Sequence, residues 1–244
     1  MSPLPPPWPG LRLRERAADY AFALRHSARA FLRRTDPRVY RRAATAPAIL
    51  LLPGVFETWR FLEPLAARLA ADGHQVHVVG KLGINRRRVL HGAELAARYL
   101  DEHDLTGVVL VAHSKGGLIG KTLMLADGGA RVAGMVAVAT PWEGSVYARF
   151  FLPGSAVRHF SPRDPHIVAL GRARGVNDRI IAVAPAWDPH IPGTGALPGA
   201  RRTVRLEGSG HFRVLDDADL VEAVRTAVTE LGDEGSSGPA SRPD

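Results

Sequence analysis

Ser114 stands where a run of branched apolar residues stops. The stretch VVLVAHSKGG, residues 108–117, passes from four branched apolar residues and Ala112 into His113, Ser114, Lys115 and two glycines. A sharp strand-to-helix turn needs small neighbours, and Ala112 and Gly116 supply them. Such a turn lifts the hydroxyl clear of a sheet and sets it at a helix N-terminus, where free N–H groups favour negative charge. A serine hydroxyl becomes a useful nucleophile only with a base in hydrogen-bond reach and a third group orienting that base. Of the ten histidines, His211 stands out, because GSGHF at 208–212 sets it in a loop between the last strand-like and last helix-like segments. Asp188 is best placed as the orienting acid, in a loop stiffened by Pro185, Pro189 and Pro192, with Glu143 as its rival. His113, beside the serine on a tight turn, reads as packing or support, and His190 as structural or loop-exposed. The Lys115 side chain reads as a solvated or paired charge, with contact to an anionic substrate group as the alternative. Together these residues would perform acyl transfer through a serine.

Elements to position them alternate along the chain. The alternating pattern predicts strands at 48–52, 75–79, 108–112, 132–139, 179–184 and 203–206, and helices at 58–72, 87–102, 116–126 and 216–231. Apolar two-sided strands separated by helices imply a parallel sheet covered on both faces. In such sheets ligands sit beyond the carboxyl ends of the strands, where the residues above fall. Residues 140–178 show no clean period. Residues 1–10 are proline-rich, and 11–34 read as an amphipathic helix whose Leu13, Ala17, Tyr20, Leu24, Ala28 and Phe31 share one face. Residues 36–47 read as a linker and 233–244 as a disordered tail.

With these residues in hand, the sequence resembles the α/β-hydrolase family, and within it the bacterial esterases and lipases. AHSKGG is similar to that family's nucleophile elbow, and LLPGVFETWRFLEPLAARLAADGHQVHVV to its first strand, oxyanion loop and first helix. ATPWEGS, at 139–145, is similar to a turn of bacterial lipases, and AWDPHIP and GSGHF to the acid and histidine loops. The resemblance spans roughly residues 47–231. It implies an α/β fold with a mostly parallel central sheet of about six strands flanked by helices and a short cap at about 145–178; residues 1–46, the N-terminal helical arm, lie outside it. It implies a Ser114–Asp188–His211 triad in the order Ser, Asp, His. It also implies an oxyanion hole from the backbone N–H groups of Val55 and Lys115. Pro53 departs from the histidine many members carry, without removing a donor. Phe56, Trp142 and Phe151 are candidate pocket residues, Phe151 within an aromatic stretch of the cap.

The implied function is hydrolysis of carboxylic esters, of a small molecule or a lipid, through an acyl-enzyme, with no metal or organic cofactor. The same machinery serves acyltransferases and thioesterases, and a non-catalytic hydrolase-like binding module is the reading from another class. The net charge of +8 is uneven: residues 1–46 hold ten arginines against Glu15, Asp19 and Asp36, and the rest of the chain holds 22 basic and 21 acidic groups. A near-neutral main domain argues against a nucleic-acid partner. The basic arm has the chemistry for an anionic membrane surface, although docking on the domain by its Leu/Ala/Phe stripe is the favoured expectation. No cysteine is present, no start resembles a secretory signal, and no run approaches the ~18 apolar residues of a membrane span. The expected location is the cytoplasm, with peripheral membrane contact through the arm as an option.

Overall fold

The residues ILLL form β1 (Ile49–Leu52), and all four are buried. A strand without a solvent face belongs inside a sheet covered on both sides. The computed structural model describes residues 12–32, 34–42, 46–126, 130–145, 158, 160–191 and 195–236. In it, β1 lies in a six-stranded parallel sheet with β2 (Val76–Val78), β3 (Val108–His113), β4 (Val132–Val138), β5 (Ile180–Ala184) and β6 (Arg202–Arg205). Each strand end falls within one residue of its predicted position. The order is β2-β1-β3-β4-β5-β6. The chain therefore runs outward from β1 to β2, returns to the other side of β1 as β3, and continues to β6. Ligand crevices open at such a reversal, here flanked by the loop after β1 and the turn after β3.

The helices are α1 (Leu13–Leu32), α2 (Glu63–Ala71), α3 (Val89–Glu102), α4 (Lys115–Ala126), α5 (Pro165–Arg172) and α6 (Ala218–Ser236). Helices α2 and α6 pack on one face of the sheet, through Leu65, Leu69, Val224 and Val228. Helices α3, α4 and α5 cover the other, through Ala96, Leu100, Ile119, Leu123 and Ile167. The predicted 58–72 helix begins as a 3-10 turn at Trp59–Leu62 before α2 starts. Pro64 sits in the first turn of α2, where a missing N–H costs nothing.

Three features differ from expectation. Helix α5 lies in the region without a clean period. Asp164 caps it by accepting from the N–H groups of His166 and Ile167, and Pro165 opens it, a signal legible in the sequence as Asp-Pro. Helix α6 runs to Ser236, four residues into the predicted tail. Gly232 lies within it, where the helix crosses Pro47 so closely that a Cβ would lie 2.2 Å from Pro47 Cγ. Residues 237–244 lie outside the described residues, as do 146–157, which hold most of the predicted cap's aromatic residues.

The third difference is the face on which α1 docks. The apolar stripe expected to pack inward is exposed, with Leu13 at 63%, Leu24 at 75% and Phe31 at 89% exposure. The helix instead buries Asp19, Phe22 and Ala30. His26 Nε2 lies 2.8 Å from the carbonyl oxygen of Phe61, and its ring stacks on Phe22. Both rows, 13/17/20/24 and 19/22/26/30, carry a helical period. Periodicity identifies a helix face but not its partner when polar contacts fix the docking.

Candidate active site

The turn after β3 is built around glycine. A Cβ on Gly116 would lie 2.0 Å from the carbonyl oxygen of Leu52, at the end of β1. The helix α4 can therefore start directly against β1 only with glycine there. Gly116→Ala is expected to destabilise the fold by at least about 2 kcal/mol, an overpacking cost measurable by denaturant unfolding. Ser114 itself holds a left-handed backbone, φ 52°. Phe56 after β1 (φ 60°) and Ala139 after β4 (φ 47°) do the same. Three strained non-glycine residues thus follow three neighbouring strands, and such strain gathers at functional sites.

The structure brings Ser114, His211 and Asp188 into one hydrogen-bonded line. His211 Nε2 lies 2.9 Å from Ser114 Oγ, and His211 Nδ1 lies 2.8 Å from Asp188 Oδ2. The carboxylate only accepts, so Nδ1 carries the proton and Nε2 is free to accept from the serine. The other carboxylate oxygen, Oδ1, accepts from the N–H groups of His190 (2.7 Å) and Ile191 (3.0 Å). The acid and histidine loops are also laced together: Ala186 N–H donates to Gly208 O and Gly210 N–H to Trp187 O. Glu143 is exposed and lines a cavity instead.

The electrostatics favour charge separation. Burial alone would lower the pKa of His211, but the charge of Asp188, its hydrogen bond, and the carboxylates of Glu57 and Asp19 outweigh burial and raise it above 6.5. Burial would raise Asp188, and the facing His211 together with the His190 N–H brings it below its ordinary value. His190, whose ring packs 4.9 Å from that of His211, is pushed down to about 4 by burial and by the charge of His211. It is a neutral wall of the site.

Several supporting residues were not foreseen. Glu57 is buried; its Oε2 accepts from Gly54 N–H at 2.7 Å and lies 3.0 Å from His113 Nδ1. His113 donates from Nε2 to the carbonyl oxygen of His211, 3.0 Å away. His113 thus ties the loop after β1 to the histidine loop, which specifies the supporting role expected of it. Lys115 is buried, and its ammonium donates to Asn85 O (2.7 Å), Asn85 Oδ1 (3.1 Å) and Arg87 O. Asn85 Nδ2 in turn donates to Pro53 O at 2.7 Å. Burial lowers the Lys115 pKa to about 8. This side chain is a clip on the loop after β2 rather than a group directed at substrate. On the far side of the histidine loop, Asp19 of α1 accepts from the N–H groups of His211 (3.1 Å), Phe212 (2.9 Å) and Arg213 (2.9 Å).

Among solved structures, the mature lipase BlEst2 of Bacillus licheniformis superposes with a TM-score of 0.60 at 14% identity, covering 75% of this chain and 92% of that one. The chain spans 50% of the propeptide form of the same lipase. A monoacylglycerol lipase of Paleococcus ferrophilus matches with a TM-score of 0.56 at 17% identity, over 78% and 97% of the two chains. An extracellular α/β-hydrolase from a Paenibacillus species matches at 0.52 and 16%, over 74% and 98%. The chain has the α/β-hydrolase fold. No family model and no curated protein matches its sequence.

Within this α/β-hydrolase fold, the candidate pocket residues separate. Trp142 is buried and borders a cavity of about 750 Å³ with Thr140, Ile167, Val168 and Ile191. Phe56 is exposed and borders a different cavity, of about 460 Å³, with Phe31, Phe61 and Ile84. The two were expected around one pocket. Phe56, on a tight turn at φ 60°, is 55% exposed instead. Phe151 lies outside the described residues. The loop after β1 carries Val55, whose neighbour Gly54 has its N–H committed to Glu57. Lys115 opens α4, and the first N–H groups of a helix have no partner within it. No cluster of three metal-ligating side chains occurs among the described residues.

Proposed function

We propose that the chain is a serine hydrolase acting on carboxylic esters that carry an apolar acyl or alkyl part. The observation that carries the reading is the buried line Ser114–His211–Asp188 beyond the carboxyl ends of a parallel sheet. Ser114 attacks the ester carbonyl while His211 Nε2 takes its proton. Asp188 holds Nδ1–H and stabilises the imidazolium. The N–H groups of Val55 and Lys115 receive the oxyanion; losing one such donor typically costs about 2.7–4 kcal/mol of barrier. His211 then protonates the departing alcohol, and water repeats the cycle on the acyl-enzyme. Solved neighbours named as lipases, esterases and a monoacylglycerol lipase support this direction. The cavity bordered by Trp142, Ile167, Val168 and Ile191, and also by Glu143 and Arg172, is the candidate site for the acyl part.

The deciding experiment is labelling with a fluorophosphonate, which reacts only with an activated serine. The full chain should be labelled and the Ser114→Ala variant should not; an unlabelled wild type would overturn the assignment. The raised His211 pKa sets the sign of the pH dependence. The base must be neutral to act, and a raised pKa keeps it protonated to higher pH. The acid limb of kcat/KM, which reports the free enzyme, is therefore expected to have its midpoint above 6.5. A midpoint below that value would contradict the arrangement of charges.

The exposed stripe of α1 favours a second feature, contact with an anionic lipid surface. Leu13, Leu24 and Phe31 face solvent, and exposed arginines 14, 25 and 29 lie on the flank. Arg25, Arg29, His26 and Arg60 also line a groove of about 200 Å³ beside that flank. Apolar insertion combined with flanking cations is how interfacial helices bind. No helix among the described residues is long and apolar enough to cross a membrane. Co-sedimentation with vesicles containing phosphatidylglycerol should be strong for the wild type and lost in a Leu24→Ser/Phe31→Ser variant. Equal binding by both would refute surface contact through this face. Deleting the arm is a poorer test, because it also removes Asp19.

A further inference from the structure

We infer that Asp19, on the N-terminal helix, is a positioning residue for His211 and makes that helix part of the active site. The inference rests on the reading of His211 as the base. The side-chain bonds of His211 to Ser114 and Asp188 orient its ring, but they do so only if the backbone beneath the ring is fixed. Both peptide groups of His211 are held by distant side chains. Its N–H donates to Asp19 Oδ2 at 3.1 Å, and its carbonyl accepts from His113 Nε2 at 3.0 Å. The next two N–H groups, of Phe212 and Arg213, converge on Asp19 Oδ1, each at 2.9 Å. One carboxylate thus gathers three consecutive backbone donors.

The loop is shaped around that carboxylate. Gly210 has φ +116°, and a Cβ there would lie 2.5 Å from Asp19 Oδ1. Asp19 is 0% exposed. A carboxylate withdrawn so completely from water is costly unless hydrogen bonds replace its hydration, and those bonds come from the histidine loop. Docking of α1 alone does not call for an acid at this position, since Phe22 and Ala30 on the same face supply the apolar contact. The carboxylate also acts through its charge. The groups facing His211 are the carboxylates of Asp188, Glu57 and Asp19, the imidazoles of His190 and His113, and, beyond His190, Arg16 of α1. Asp19 is one of the three that favour the imidazolium formed when the serine gives up its proton.

The test compares the full-length wild type with Asp19→Asn, Asp19→Ala and Phe22→Ala. The readouts are the rate of fluorophosphonate labelling at Ser114 across pH and the exchange of the amide hydrogens of residues 211–213. Small displacements of a catalytic group cost roughly 100-fold in rate, and Asp19→Ala is expected to slow labelling on that scale. Asp19→Asn retains one oxygen for Phe212 and Arg213 but turns its NH₂ on the His211 N–H, so an intermediate loss is expected. Removing the negative charge should also move the acid limb to lower pH and speed exchange at 211–213. Phe22→Ala weakens docking without touching the loop; it should lower the melting temperature and leave the acid limb in place. Wild-type labelling, an unmoved acid limb and unchanged exchange in Asp19→Asn would overturn the inference. The near-isosteric Asn carries the test if the Ala variant does not fold. If the wild type itself is not labelled, the hydrolase reading fails, and amide exchange still decides whether Asp19 holds the loop.

Discussion

Ser114→Ala is expected to cut ester turnover by about 10⁶-fold, the scale on which removing the nucleophile of a serine triad acts. The substitution deletes one oxygen and nothing that supports the turn. The strained φ of 52° and the Ser114 N–H bond to Val138 O belong to the backbone. The closeness of Gly116 to Leu52 is likewise independent of the hydroxyl. The melting temperature should therefore stay near that of the wild type while hydrolysis of a short p-nitrophenyl ester disappears. Retained turnover in a folded Ser114→Ala protein would mean that another group performs the chemistry, and the proposal would fall.

Asp188→Asn is expected to cost about 10⁴-fold in kcat, by changing which nitrogen of His211 bears the proton. The structure fixes how the amide must sit. The position of Oδ1 is claimed by two backbone donors, His190 N–H and Ile191 N–H, so the amide oxygen stays there. The NH₂ group is then directed at His211 Nδ1, which must accept rather than donate. The proton moves to Nε2, the atom facing Ser114 Oγ, and the base is lost. Because both backbone bonds to Oδ1 survive, the variant should fold. Glu143→Gln should leave the rate unchanged, since that side chain is exposed on a cavity wall. The reverse pattern, a silent Asp188→Asn and a damaging Glu143→Gln, would reassign the acid.

Much of this was legible in the sequence because the information is local. The central strands β1, β3, β4 and β5 announce themselves as apolar runs, since strands covered on both faces are apolar nearly throughout, whereas the edge strand β6, RTVR, has no fully buried residue. AHSKGG is readable because the turn demands small residues at fixed offsets, and the structure shows what they avoid: at Gly116 the obstacle is the backbone of β1. His211 and Asp188 could be chosen because each follows a strand, and parallel strands bring their carboxyl ends together. Helix α5 shows no clean period in a proline-containing region, and only Asp164-Pro165 marks its start.

The supporting residues could not be read in this way. Nothing local distinguishes Asp19 in an arginine-rich helix from a surface acid. Its meaning lies in three N–H groups about 190 positions away in sequence. Glu57 and Asn85 are equally silent until β1, β2 and β3 lie side by side, bringing Glu57 to His113 and Asn85 to Lys115. The docking face of α1 is silent for the same reason: its buried row is Asp19, Phe22 and Ala30 rather than the apolar stripe. The strands, the tight turn at Ser114 and the positions of Asp188 and His211 in loops after strands are legible in short segments, because backbone periodicity and turn sterics are local properties. The covered face of α1 and the buried polar groups that brace the loops, Asp19, Glu57 and Asn85, emerge only in the folded chain. Those outcomes follow from pairing buried donors with buried acceptors across the whole chain, a condition that no short segment contains.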